Sequence, residues 1–246
     1  MVDTQSVRKS SASISSANID AGLRAHMNKV YALMSIGLFL TGGVAYIVGN
    51  NETLVMSLFT GMSRWVVMFA PLVVVFAMGS MINRLRASTA QLIFYAFSAL
   101  MGLSISYIFM IYTSVSIAQT FLVTSIAFAG LSLYGYTTKR NISGMGSFLI
   151  MGVIGLIVAS IVNIWMQSPA LMYAISVIGV LIFAGLTAYD TQKIKNTYIQ
   201  MAQNGQNEWI EKSAIMGALS LYLCLLYTSD AADDSLRVDL GGRRII

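Results

Sequence analysis

Seven long apolar runs separated by short polar connections constrain this chain more than any other feature. They cover residues 27–49, 65–83, 91–112, 116–136, 146–167 and 170–190, and a seventh begins near 213. The first six are each 19 to 23 residues long. A helix needs that length to cross about 30 Å of hydrocarbon at ~1.5 Å per residue. A bilayer offers no water to backbone N–H and C=O groups, so a spanning segment must satisfy them internally, as a helix or in a closed barrel. Continuous apolar runs are unlike the weak alternation of barrel strands. The fold class is therefore an all-α polytopic membrane protein with seven transmembrane helices. Composition agrees, because only 10% of residues are charged, against about 25% in a soluble domain. A water-facing surface cannot be covered with so few charges, which excludes a soluble enzyme. The chain divides into a polar cytoplasmic tail (1–26), a membrane domain (27–223) and a distinct terminal segment (224–246).

The basic residues give an orientation. With seven spans, the N-terminal tail and the connections after the second, fourth and sixth share one side. That side carries Arg8, Lys9, Arg24, Lys29, Arg84, Arg86, Lys139, Arg140, Lys193, Lys195 and Lys212, while the opposite connections carry Arg64 alone. Basic residues concentrate on cytoplasmic loops, so the N-terminus is expected in the cytoplasm. The formal net charge of +5 is explained by this asymmetry, and no nucleic-acid partner is expected.

Other chemistries lack their residues. The one cysteine, Cys224, rules out a disulfide framework or thiolate cluster. The one histidine, His26, lies in the polar tail, which leaves no zinc motif of the H-E-x-x-H type and no Ser-His-Asp triad in the membrane. No cofactor and no resident metal are expected. Small residues recur at spacing four, as Ser98, Gly102 and Ser106 in the third run and Ala184 and Ala188 in the sixth. Such stripes let helix backbones approach closely. Asn163 is expected to bond between helices, and Pro71 to leave a carbonyl unbonded and kink the second helix.

Between Glu52 and Glu208 the chain contains a single acid, Asp190, in FAGLTAYDTQKIK at the cytoplasmic end of the sixth run. An ionisable group at membrane depth is costly and marks a functional site by default. Two environments are open to it. At the interface, Lys193 three residues on can neutralise it. Facing the bundle interior, it loses hydration, which favours its protonated form, and protonation then alters a helix–helix contact.

The seventh run starts as SAIMGALSLYL at 213–223 and then turns polar. Asp230, Asp233, Asp234 and Asp239 all fall within CLLYTSDAADDSLRVDLGGRRII. The string CLLYTSDAADD resembles the translation of a synthetic adapter. The chain is expected to depart from its native sequence after Leu223, leaving the last helix truncated; the alternative is a short final helix with a polar tail.

FAGLTAYDTQKIK at 183–195 resembles the signature of the Bax-inhibitor-one family, the transmembrane Bax inhibitor motif proteins. YGYTTKRNISGMGSFL at 134–149 and IMGALSLYL at 215–223 resemble its bacterial members, of the YccA and YbhL kind. The likeness runs from about Lys29 to Leu223. It implies six helices around a central seventh, and a calcium leak controlled by protonation of two aspartates on the sixth and seventh helices. Asp190 matches the first of these. The second belongs at position 224, where this chain has Cys224. An arginine near the pair is also implied, which points to Arg84 or Arg86. Bacterial relatives are further linked to control of a membrane-bound protease.

The expected function is a pH-sensitive calcium leak channel of the bacterial inner membrane, gated by Asp190, with calcium as the permeating ion. The alternative is a modulator without transport activity that binds another membrane protein, such as a membrane protease, through its tail and the 196–212 connection. An enzyme is not expected. Ala-Tyr-Asp at 188–190 resembles half of an intramembrane aspartyl protease, but that chemistry needs a second carboxylate sharing the proton.

Overall fold

The computed structural model describes the backbone over residues 4–111, 114–138, 140, 142–204 and 207–239, and side chains from residue 19 to 232 apart from a few positions in connections. Nine helices occur among the described residues: α1 (Thr4–Gly49), α2 (Glu52–Phe59), α3 (Ser63–Met81), α4 (Ala87–Ile105), α5 (Ile108–Ile111), α6 (Ser114–Thr137), α7 (Ser143–Met166), α8 (Pro169–Gln203) and α9 (Asn207–Asp239). Seven stretches are long and apolar enough to cross a membrane: Ile19–Gly49, Ser63–Met81, Ala87–Met110, Ser114–Thr137, Gly144–Met166, Pro169–Gln203 and Glu208–Ala232. The chain is a polytopic all-α membrane protein.

α9 is the central helix. It packs against α8 most extensively and also against α1, α6 and α4. Ala214, Ile215, Ala218, Leu221, Tyr222 and Leu225 are all fully buried or nearly so. The surrounding helices turn their large apolar side chains outward; Ile150, Met151, Ile154, Ile157 and Val158 of α7 are exposed. That distribution suits lipid, which solvates aliphatic side chains as well as a protein interior does.

Small residues set the inner contacts. Ser98 and Gly102 of α4 and Ser106 at its C-cap are buried. A Cβ at Gly102 would strike the backbone carbonyl of Thr41 on α1, and one at Gly135 on α6 would strike that of Ala188 on α8. These two glycines let helices touch backbone to backbone. Pro71 lies buried inside α3. Asn163 acts locally: its Oδ1 accepts from Ser168 N at 3.1 Å across the α7–α8 turn, where Gln167 adopts the left-handed conformation (φ 46°). The expected inter-helix bond is thus replaced by a cap, because Asn163 falls in the last turn of α7, where carbonyls and the following amides lack helical partners.

Three helices run beyond their apolar segments. α8 has 35 residues, about 50 Å at ~1.5 Å per residue, far more than the bilayer core requires. Ile194 and Tyr198 continue its buried face past the last apolar run. α9 starts at Asn207 and does not stop near Leu223; its membrane segment is 25 residues, Glu208–Ala232. The polar residues after Leu223 continue the helix to Asp239. α1 likewise runs back to Thr4, through the stretch read from sequence as a tail. Together α8 and α9 form a closely packed pair. α1 packs along it: Lys29 Nζ lies 3.6 Å from Glu211 Oε1, and the His26 ring sits 4.8 Å from that of Tyr198.

Candidate functional site

Asp190 is buried, at 8% exposure, on the face of α8 that meets α9. Two α9 side chains donate to its Oδ2: the hydroxyl of Ser220 and the thiol of Cys224, the latter at 3.6 Å. Residues 220 and 224 are one turn apart, so both reach the same oxygen from one helix face. Position 224, where the resemblance implies a second aspartate, therefore lies directly against Asp190. Lys193 does not neutralise the carboxylate; it is exposed, with Nζ 6.0 Å from the ring centre of Tyr189. Arg84 and Arg86 are both exposed near the α3–α4 turn, and the structure does not bring either one to Asp190. Among the described residues, Asp190 makes no ion pair. The side chains that donate to it, Ser220 and Cys224, are neutral.

The depth of this site follows from its neighbours. Gln192, two residues on, donates through Nε2 to the carbonyl of Arg140 at 2.7 Å and accepts from Ile142 N at 2.9 Å. Lys195 Nζ donates to the carbonyl of Tyr136 at 2.8 Å and lies 5.3 Å from that ring's centre. Residues 192–195 are thus level with the end of α6 and its basic connection. Asp190 sits less than one turn membraneward of that level and is buried.

Around it runs a network of hydroxyls. Thr191 Oγ1 donates to the Thr187 carbonyl at 2.8 Å and lies 3.0 Å from Ser132 Oγ on α6, which is 2.5 Å from the Tyr31 hydroxyl on α1. A second set involves Tyr222 of α9, which shares a 2.7 Å hydrogen bond with Thr41 of α1, whose Oγ1 also donates to the Ser98 carbonyl of α4 at 2.8 Å. The Tyr222 ring is wedged edge-on between Phe94 and Phe97. Sequence reading missed Ser220, Thr41 and Tyr222. The available signal is a tyrosine and a serine within the otherwise aliphatic run IMGALSLYL, two positions apart on the helix that turns out to be central. Among the described residues, no three His, Cys, Asp or Glu side chains come together as a metal site.

The model of the family described as "Inhibitor of apoptosis-promoting Bax1" matches residues 23–228. The chain belongs to the Bax inhibitor family. Bacterial relatives are similar along most of their length. "Inner membrane protein YbhL" of Escherichia coli K12 is 46% identical over 204 residues, covering 82% of this chain and 87% of the relative. An uncharacterized protein of Caulobacter vibrioides is 45% identical over 215 residues, 84% of this chain and 85% of its own. An uncharacterized protein of Rickettsia prowazekii, RP147, is 43% identical over 204 residues, 83% and 85% of the two chains. The family match includes Asp190, Ser220 and Cys224 and thus the whole of the site.

Proposed function

We propose that this Bax inhibitor family protein is a pH-responsive calcium leak of the bacterial inner membrane, oriented with its N-terminus in the cytoplasm, and that Asp190 takes up the controlling proton. The membrane assignment is supported by the name of the Escherichia coli relative, and the orientation by the distribution of Lys and Arg. The observation that carries the reading is a buried carboxylate with no basic partner among the described residues, clasped by two donors from the central helix.

When ionised, Asp190 accepts the Ser220 hydroxyl and the Cys224 thiol. Hydrogen bonds to a charged acceptor are roughly twice as strong as neutral ones, so this state ties α9 to α8. Protonation removes the charge and weakens both bonds. The clasp therefore loosens as pH falls, and flux rises. Calcium favours six to eight oxygen ligands; one aspartate among hydroxyls and backbone carbonyls holds it weakly, as passage requires.

The test is calcium efflux from proteoliposomes across a pH series. Asp190→Asn has no proton to gain and is expected to flatten the pH response. Cys224→Asp supplies a second carboxylate beside the first; the pair holds a shared proton more tightly, moving the response to higher pH. An Asp190→Asn protein with wild-type flux and pH profile would reject the gate.

A second reading, a modulator of another membrane protein such as a membrane-bound protease, is favoured by the start of α9, where Glu208 and Trp209 are exposed and Lys212 is held against both. Deleting residues 1–20 separates the two: regulation lost with flux intact supports the modulator.

A further inference from the structure

Along one side of the bundle, α1 and α6 face each other across an open groove of about 1610 Å³. This exceeds the roughly 300–1,000 Å³ typical of a small-ligand pocket. α6 packs on α8 and α9, and α1 on α4 and α9; the groove is the space left between these two pairings, floored by Leu225 and Leu226 of α9. It follows α1 from Arg24 to Tyr46, about 33 Å at ~1.5 Å per residue, the depth of a bilayer core. Phe39, Phe121 and Leu133 line it and are themselves exposed, so it opens sideways into the membrane.

The two ends of the groove differ in charge. Arg24 stands at one mouth, exposed, and makes no ion pair among the described residues. Tyr136 lines the same mouth and carries Lys195 against its ring and carbonyl. Asp230 lines the opposite end. A ligand with a long apolar body and one anionic head fits this polarity in a single direction, its head at Arg24.

We propose that this groove is a binding site for an anionic phospholipid of the leaflet on the Arg24 side, with its phosphate at Arg24 and an acyl chain laid along α1 toward Phe39. The site is separate from Asp190 and stands whether or not the protein conducts calcium. Basic pockets between transmembrane helices select acidic headgroups in this way, and one arginine near the headgroup level is worth about a fivefold preference.

The full chain, purified in mild detergent, is offered phosphatidylglycerol and phosphatidylcholine of identical acyl chains, and retained lipid is read by native mass spectrometry. The expected result is about fivefold preferential retention of phosphatidylglycerol, reduced to parity in Arg24→Gln. Ala129→Trp, at an exposed lining position, should lower retention of both lipids without unfolding the protein, as judged by its melting curve. Equal retention of the two lipids by the wild type, or an undiminished preference in Arg24→Gln, would overturn the site. Displacement of phosphatidylglycerol by millimolar inorganic phosphate would also overturn it, since that marks a plain anion site in which the chain takes no part.

Discussion

The fifth and seventh membrane helices are of similar length and opposite design. α7 is the more apolar, with a mean hydropathy of 2.4 in its most apolar stretch against 1.4 for α9. Yet only 11% of that stretch of α7 is buried, against 56% in α9. In a water-soluble protein the greasiest helix goes inside. Here lipid already solvates the aliphatic surface of α7, so nothing drives it inward. The interior is reserved for residues that gain from protein neighbours: small ones that admit close packing, and hydroxyls and aromatics with specific partners.

That contrast predicts a graded response to substitution, measured as unfolding free energy in bilayers or, more coarsely, as melting temperature in mild detergent. Tyr222→Ala removes a fully buried ring from the middle of α9 and should cost about 3–5 kcal/mol, the range for large aromatic truncations. Gly135→Ala places a methyl group against the Ala188 backbone and should cost about 1–3 kcal/mol through overpacking. Tyr222→Phe keeps the ring and loses only the bond to Thr41; membrane hydrogen bonds average about 0.6 kcal/mol, and a similar loss is expected. Ile154→Ala on exposed α7 should change stability least, by under ~0.5 kcal/mol. Equal costs for Ile154→Ala and Tyr222→Ala would break the comparison, and a reversed order of the two Tyr222 variants would break the packing argument within it.

The spans were legible because their lengths and continuity answer to one constraint, the thickness of the hydrocarbon. Helix ends were less so. The apolar run of α8 stops at Asp190, but Ile194 and Tyr198 keep an i, i+4 face buried while Lys193, Asn196 and Gln200 turn outward. The same holds for the start of α9, where Glu208 and Lys212 pair across one turn. α2 was missed because its eight residues are too short for a span; its signal is Asn51, whose Oδ1 caps Leu54 N at 3.2 Å. In the site, Asp190 stood out as a solitary acid. Its partners did not, because a serine or tyrosine inside an apolar run carries no mark of what it faces. Arg84 and Arg86 were named by resemblance, and they lie at the surface because their turn ends α3 at the basic level outside the apolar slab.

The Gln192 amide grips the turn between α6 and α7 from both sides, donating to Arg140 and accepting from Ile142. Two residues separate this grip from Asp190. Any rotation of α8 about its long axis must either drag that turn along or tear two bonds at once. The turn is therefore a lever arm wired to the buried acid and ending in water. A dye attached there would register, from outside the bundle, a rearrangement that begins where no dye can be placed.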